Sequence, residues 1–279
     1  MTPQGTTPSA GQQAVIDRFV AACEADPRVV AAFLGGSLAA GTADAYSDLD
    51  LYLITTDAAY EAVVAEGRTF MDQLGGPAFL EDWTVGGRHY LNFIFADGVE
   101  GELGLSPASA FDQIHAGPFR VLVDKTGILA GARFPGAVAA PDAQREVLRG
   151  LLNWFWHNLS HFTTALGRDE LWAAAGALDD LRRACVDLAH LRHDFTAAPQ
   201  GFEKLERVLP VAAVAPLAPT FVPLERAAML AAGRAVLAFY LDLAPRLAAA
   251  HEIAYPADLA PLFAARLETL DLSSGKAPG

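Results

Sequence analysis

Lysine is scarce in this 279-residue chain: it occurs only at Lys125, Lys204 and Lys276, and the other basic side chains are arginine. The formal net charge is -13. That balance argues against a nucleic-acid binder, because phosphate contacts need clustered Lys and Arg. It suits a cationic small molecule, or a nucleotide whose charge is carried by metal ions. Cysteine is scarce too. Cys23 and Cys185 are the only two, far apart, and each lies in a helical-looking segment. They read as small buried hydrophobes in a reducing compartment, with no metal-ligand spacing. No apolar run reaches the roughly 18 residues of a membrane span; "LAAGRAVLAFYLDLAP" is broken by Arg234 and Asp242. The stretch "MTPQGTTPSAGQQ" has no basic region followed by an apolar core, so no secretory signal is expected. The expected location is cytoplasmic, with neither nucleic acid nor membrane as partner.

Hydrophobic residues make up 52% of the chain and charged residues 19%, which supports a sizeable core. Residues 1–10 read as a loose tail. From Gly11 to Ala25, the positions Val15, Ile16, Phe19, Val20 and Cys23 follow a helical spacing. "RVVAAFLGG" reads as a buried strand and "LDLYLIT" as an alternating one. "DAAYEAVVAEGRTFMDQLG" predicts one helix with Asp57 as its N-cap. Three strands follow, "AFLEDWTV", "HYLNFIFA" and "VEGELGLS", the last two joined at Asp97-Gly98 by a two-residue hairpin signal. "SPASAFDQIHAG" predicts a helix capped by Ser106 with Pro107 in its first turn, and "FRVLVDKTG" a further strand. After about Gly136 the strand signals stop. Two long amphipathic helices, a Pro-rich connection "LPVAAVAPLAPTFVP", a third long helix and a last one are expected. The fold class is therefore α+β. A small mixed-sheet domain over residues 11–135 precedes an antiparallel α-helical bundle over 136–272.

"FLGGSLAAGTADAYSDLDLYLIT" holds the chemistry. Asp48 and Asp50 are two residues apart, so on a strand they share a face, while Leu49, Leu51 and Leu53 point into the core. Carboxylates so close repel unless a cation lies between them, and hard oxygen ligands suit Mg²⁺. Gly36 and Ser37 follow the preceding strand. Glycine there lets backbone N–H groups approach a phosphate, and a helix start adds a favourable dipole. A third carboxylate would come from "GVEGELGL", where Glu100 and Glu102 share a face. Glu102, flanked by Gly101 and Gly104, is preferred; Glu100 lies nearer the turn and is the runner-up.

The order apolar strand, Gly36-Ser37, spacer, Asp48-Leu49-Asp50 resembles the DNA polymerase β-type nucleotidyltransferases. Within them it is most similar to the lincosamide and aminoglycoside antibiotic nucleotidyltransferases, which couple a small sheet to a helical bundle. The motif likeness covers roughly residues 30–105. It implies that Gly36 and Ser37 bind the triphosphate of an NTP, ATP first among them. It further implies that Asp48 and Asp50 hold Mg²⁺ and that Glu102 fills the third acidic position, where the family often has Asp. The implied reaction is in-line attack of an acceptor hydroxyl on the α-phosphorus, with release of pyrophosphate. The implied partners are an NTP and a small hydroxyl-bearing acceptor; a homodimer is left open. The alternative is an antitoxin-like nucleotidyltransferase that modifies or binds a protein partner.

Weaker signals surround this motif. Arg88 precedes the Asp97-Gly98 turn and is a candidate triphosphate contact, or a solvated hairpin residue; His89 follows it. Trp154, His157 and His161 share one helical face. They read either as an acceptor-binding surface or as a packing face. Asp179, Asp180 and Asp187 are candidate acceptor contacts, but Asp179–Arg183 and Asp180–Arg183 also have the spacing of ordinary helix-surface pairs. Arg183 and His190 resemble the Arg-x6-His motif of HEPN-type ribonucleases, a spacing that also arises by chance.

Overall fold

A computed structural model of the chain describes residues 7–136 and 140–274. Most of the 1–10 tail and the junction just after Gly136 lie outside the described residues. The chain divides into two compact units, Met1–Ala137 and Val138–Gly279.

In the first unit α1 spans Ala10–Ala25. It starts on a capping box in which Ser9 Oγ accepts from the Gln12 N–H and the Gln12 side chain accepts from the Ser9 N–H. β1 (Val29–Leu34) is buried along its whole length. α2 (Gly36–Ala40) is one short turn, and β2 (Leu49–Thr55) follows. The single helix expected next is broken. A 3-10 turn over Asp57–Ala59 leads into α3 (Tyr60–Ala65) and α4 (Gly67–Gln73). The break falls at Glu66, where Gly67 packs so tightly on Leu91 that a Cβ would come within 2.9 Å of its Cδ1. Asp57 is not a cap; its carboxylate accepts the Ser109 N–H at 2.9 Å.

β3 (Phe79–Val85), β4 (Arg88–Ile94), β5 (Glu100–Pro107) and β6 (Arg120–Asp124) complete a six-stranded sheet in the order β3-β4-β5-β2-β1-β6. β2 and β5 run parallel and the other pairs antiparallel, so the sheet is mixed, as the sequence implied. The Asp97-Gly98 turn is one residue longer than expected. Gly98 N donates to Phe95 O and Phe95 N to Val99 O, a three-residue loop with Gly98 at φ +84. The two-residue hairpin is Gly86-Gly87 between β3 and β4, both at positive φ. The helix expected at Ser106 is also absent there. Ser106 and Pro107 stay in β5, and a 3-10 turn covers Ala108–Gln113. Leu49, Leu51, Leu53, Leu91, Phe93, Leu103 and Leu105 pack with Phe19 of α1 and Met71 of α4 in one core. On the opposite face, Phe33, Tyr52, Ile54 and Tyr90 pack with Ile114, Leu129 and Phe134.

The second unit is helical. α5 (Pro141–Gly167) and α6 (Leu171–His193) are joined by three residues, which fold α6 back along α5. The Pro-rich connection is not irregular throughout. After α7 (Leu205–Val208) it forms α8 (Val211–Val214) and a 3-10 turn over Ala215–Thr220. α9 (Arg226–Ala250) and α10 (Leu259–Ser274) close the unit. Phe155 of α5 stacks on Tyr240 of α9 at 3.6 Å, and the Tyr240 hydroxyl donates to Leu152 O. By length and composition α9 is long and apolar enough to cross a membrane, although Arg234 and Asp242 interrupt it. Half of its apolar window is nevertheless buried in this core, including Met229, Leu230, Val236 and Tyr240. Both cysteines are free and buried, and burial pushes both thiols up.

Candidate active site

The site begins where β1 meets α2. The Gly35 N–H donates to the Asp50 carbonyl at 2.8 Å, which ties the turn to β2. Gly36 has φ +56. A Cβ on it would lie 1.7 Å from Asp50 Oδ2, so the carboxylate rests directly against the turn. Only glycine tolerates both the backbone angle and that approach. Ser37 Oγ is buried without a hydrogen-bond partner among the described residues. An orphaned hydroxyl on a glycine turn matches what a phosphate oxygen would satisfy. α2 has only five residues, so the helix dipole expected there is slight and the backbone N–H groups remain as the donors.

Asp48 lies just before β2 and is exposed, while Asp50 is half-buried. The loop ahead of them is pinned. Gln12 Nε2 donates to Ser47 O at 2.6 Å, and the Asp44 N–H donates to Ser47 Oγ at 2.8 Å. In the parallel pairing Asp50 stands directly opposite Glu102. Asn92 on β4 stands on the other side of Glu102, and Glu81 on β3 beyond it. Strand neighbours are about 4.8 Å apart, so this is a polar row across four strands. Glu100 lies further out, exposed at the start of β5. Burial first, then the charges of Asp50 and Asp48, pushes the Glu102 carboxyl above the ordinary carboxylate range. Tyr52 feels the same field: burial, then Asp50 and Glu102, pushes its phenol up.

The glycines beside Glu102 act differently from the sequence reading. A Cβ on Gly101 would strike Leu49 O at 2.2 Å, and one on Gly104 would meet the Tyr52 ring at 2.8 Å. They let β2 and Tyr52 close onto β5 rather than leave space beside the acid.

Two recesses meet at Asp50. One, of about 310 Å³, is acidic, lined by Asp48, Asp50, Asn92, Glu100 and Glu102 with apolar neighbours. The other, of about 470 Å³, is lined by Gly36, Asp50, Tyr52, Arg88 and His115 among others. Sequence reasoning missed His115, because the Ser106-Pro107 signal placed it at the end of a helix. The available sign was a histidine in a Gly- and Pro-flanked loop, "HAGP". His89 points away from Arg88 to the other face, where it is buried 3.1 Å from Asp82.

The donor set fits a hard divalent cation. Among the described residues no three His, Cys, Asp or Glu side chains converge on one point. Mg²⁺ takes one or two carboxylates and completes its shell with water and phosphate oxygens, so a converged trio is not required.

In the helical unit, Trp154, His157 and His161 line a recess of about 480 Å³ with Asn158, Glu170 and Asp180. The His157 and His161 Nε2 atoms are 3.1 Å apart, and the Trp154 ring lies edge-on to His157 at 4.9 Å. Trp154 is 60% exposed. Asp179 pairs with Arg182 and Arg183, whereas Asp180 faces the recess. The Arg183–His190 spacing has a structural use. His190 Nε2 lies 3.1 Å from Gly201 O, Asp187 accepts from the Gly201 N–H, and Arg183 sits over the Phe202 ring. Together they clasp the loop after α6.

Among curated proteins none matches the chain. Solved structures similar to it include an aminoglycoside 6-adenyltransferase from Bacillus subtilis, 14% identical, covering 95% of this chain and 99% of that one at a TM-score of 0.43. A nucleotidyltransferase-like protein from Exiguobacterium sibiricum 255-15 is 10% identical over 82% and 74%, at a TM-score of 0.38. The Cid1 poly(U) polymerase is 12% identical over 82% and 67%, at 0.30. The assignment rests on the sequence family. The model described as streptomycin adenylyltransferase matches residues 11–267, nearly the whole of both units. With a glycine turn set against paired carboxylates, the chain belongs to the streptomycin adenylyltransferase family and is a nucleotidyltransferase.

Proposed function

We propose that the chain transfers AMP from ATP to a hydroxyl of a small cationic acceptor of the aminoglycoside type, with lincosamides as the alternative acceptor class. The observation that supports this most is the contact of Asp50 with the Gly36 turn, with Glu102 beside it on the next strand. That arrangement brings a phosphate-binding turn against a cation-binding pair. The family description adds the adenylyl group and an aminoglycoside acceptor. The charge of -13 favours a cationic acceptor over a polyanion. An ATP-dependent reaction of this kind belongs in the cytoplasm.

In this reading the Gly36 backbone and the Ser37 hydroxyl hold the triphosphate, and Arg88 contacts its oxygens from the same recess. Asp48, Asp50 and Glu102 are the acids that would hold Mg²⁺, which when bound would offset the charge growing on the α-phosphate and the leaving pyrophosphate. The acceptor oxygen forms a bond to the α-phosphorus as the bond to the β-phosphate oxygen breaks. The hydroxyl proton passes to a carboxylate. Trp154, His157 and His161 are assigned to the acceptor: Trp154 offers an apolar face, and Asp180 and Glu170 supply negative charge in the same recess.

The test is incubation with each NTP and a panel of aminoglycosides and lincosamides, following pyrophosphate and the mass of the acceptor. Acceptor gaining one AMP, with ATP preferred, supports the reading. Pyrophosphate release with no nucleotidylated small molecule in the panel would count against the acceptor class.

A further inference from the structure

Arg88 and His115 line the same recess but offer opposite chemistry. Arg88 is donor-only and always charged, which matches phosphate oxygens. His115 Nε2 lies 2.9 Å from the Pro118 carbonyl oxygen, which can only accept, so Nε2 carries the hydrogen. A neutral ring then leaves Nδ1 as a bare acceptor. Burial favours the neutral ring by lowering its pKa, and the Pro118 carbonyl opposes this less strongly. No described residue donates to Nδ1. The ring is also held in place. It lies 4.8 Å from Tyr52, 5.5 Å from Phe33 and 5.3 Å from Phe134 between ring centres. Its Nδ1–Cε1 edge covers the phosphate turn: a Cβ on Gly35 would come 3.1 Å from Nδ1 and 2.7 Å from Cε1.

A bare acceptor repels phosphate oxygens, which are acceptors too. It calls for a hydroxyl or amino donor close to a triphosphate seated on the neighbouring turn. On a nucleoside triphosphate the donors nearest the phosphates are the ribose hydroxyls. We infer that His115 Nδ1 accepts a hydrogen bond from a ribose hydroxyl of the bound nucleotide and so selects ribonucleotides. The inference rests on the nucleotidyl-transfer reading above and deepens it: Arg88 reads the phosphates and His115 the sugar.

The test measures kcat/KM for the NTP that the enzyme uses best and for its 2′-deoxy and 3′-deoxy forms. The proteins are wild type, His115→Phe and His115→Asn. Phe keeps the aromatic packing but removes the acceptor; Asn keeps an acceptor near the place of Nδ1. Wild type should prefer the ribonucleotide over one deoxy form by about tenfold, the scale of one hydrogen bond with its partner left unmet. His115→Phe should lower the ribonucleotide to the level of that deoxy form and leave the deoxy form unchanged. His115→Asn should retain part of the preference. Equal preference in wild type and His115→Phe overturns the inference, as does an effect confined to the acceptor KM, which would place Nδ1 on the acceptor hydroxyl. If His115→Phe shows no cooperative thermal transition, wild type and His115→Asn decide: a wild type that ignores both deoxy changes overturns it. A wild type that neither binds nor turns over any NTP sinks the nucleotidyl-transfer reading instead.

Discussion

Gly36 carries more of this site than its size suggests. Its φ of +56 and the Asp50 carboxylate at its hydrogen leave no room for a methyl group. Gly36→Ala should push the turn off Asp50 and cut kcat by about 100-fold, since misplacement of about 1 Å costs that much. The unfolding transition should survive, lowered by about 1–3 kcal/mol. Kinetics paired with a thermal melt check this, and unchanged kcat would show that the turn does not hold substrate. Glu102 makes a second prediction at this scale. Its folded-state pKa is raised, so its ionisation opposes folding. Its contribution is most favourable below the unfolded carboxylate value and is lost as pH rises through the folded one. In metal-free protein at neutral pH, Glu102→Gln should therefore raise the melting temperature while abolishing transfer. Added Mg²⁺ should stabilise wild type more than the variant. A variant less stable than wild type without metal would contradict the repulsion argued here.

At the level of elements, two contacts set against one another show which force prevails. Gly233 lies inside α9, where Ala normally gains about 1 kcal/mol in helix propensity. A Cβ there would come 2.3 Å from Phe162 Cε1 of α5. Overpacking of that kind costs about 1–3 kcal/mol, so Gly233→Ala should destabilise the chain, read by denaturant melts. A gain in stability would show that Phe162 moves aside freely. The clasp on Gly201 gives another case. His190→Ala removes a buried ring and its contact with the Gly201 carbonyl, and should cost about 1–3 kcal/mol while leaving NTP kinetics unchanged. Loss of transfer without loss of stability would give the Arg183–His190 pair a functional role. The sequence made β1 readable as a short continuous apolar run, β2 and β5 by alternation, and the long helices by extended stretches rich in Ala and Leu without strand or turn signals. It failed where tertiary contact overrode local signals. Asp57 turned to the Ser109 N–H instead of capping a helix, Gly67 broke a helix against Leu91, and Ser106-Pro107 stayed in a strand.

Across the whole molecule the net charge of -13 makes a prediction about acceptors. Long-range attraction to a cationic acceptor is screened by salt, so kcat/KM for an aminoglycoside should fall by about threefold or more between ~50 and ~300 mM salt. An uncharged acceptor should change little, and a flat response for the aminoglycoside would remove charge from its recognition. That Gly36 and Asp50 lie together was legible because a Gly-Ser turn and an Asp-x-Asp strand sit close in sequence, and Glu102 was reached through the alternation of a later strand that pairs with β2; the roles given to these residues belong to the proposal. His115 was not legible, because its place beside Gly35 depends on the fold of a loop some 80 residues later in the chain. The central claim is that Asp50 joins the phosphate turn to a Mg²⁺-dependent transfer. Its most direct test is pyrophosphate release from Mg-ATP with an aminoglycoside, wild type against Asp50→Asn. The account predicts release that needs both Mg²⁺ and the acceptor in wild type, and at least a 100-fold loss in the variant, about the scale of a misplaced reacting group. Equal rates in the two proteins would contradict it.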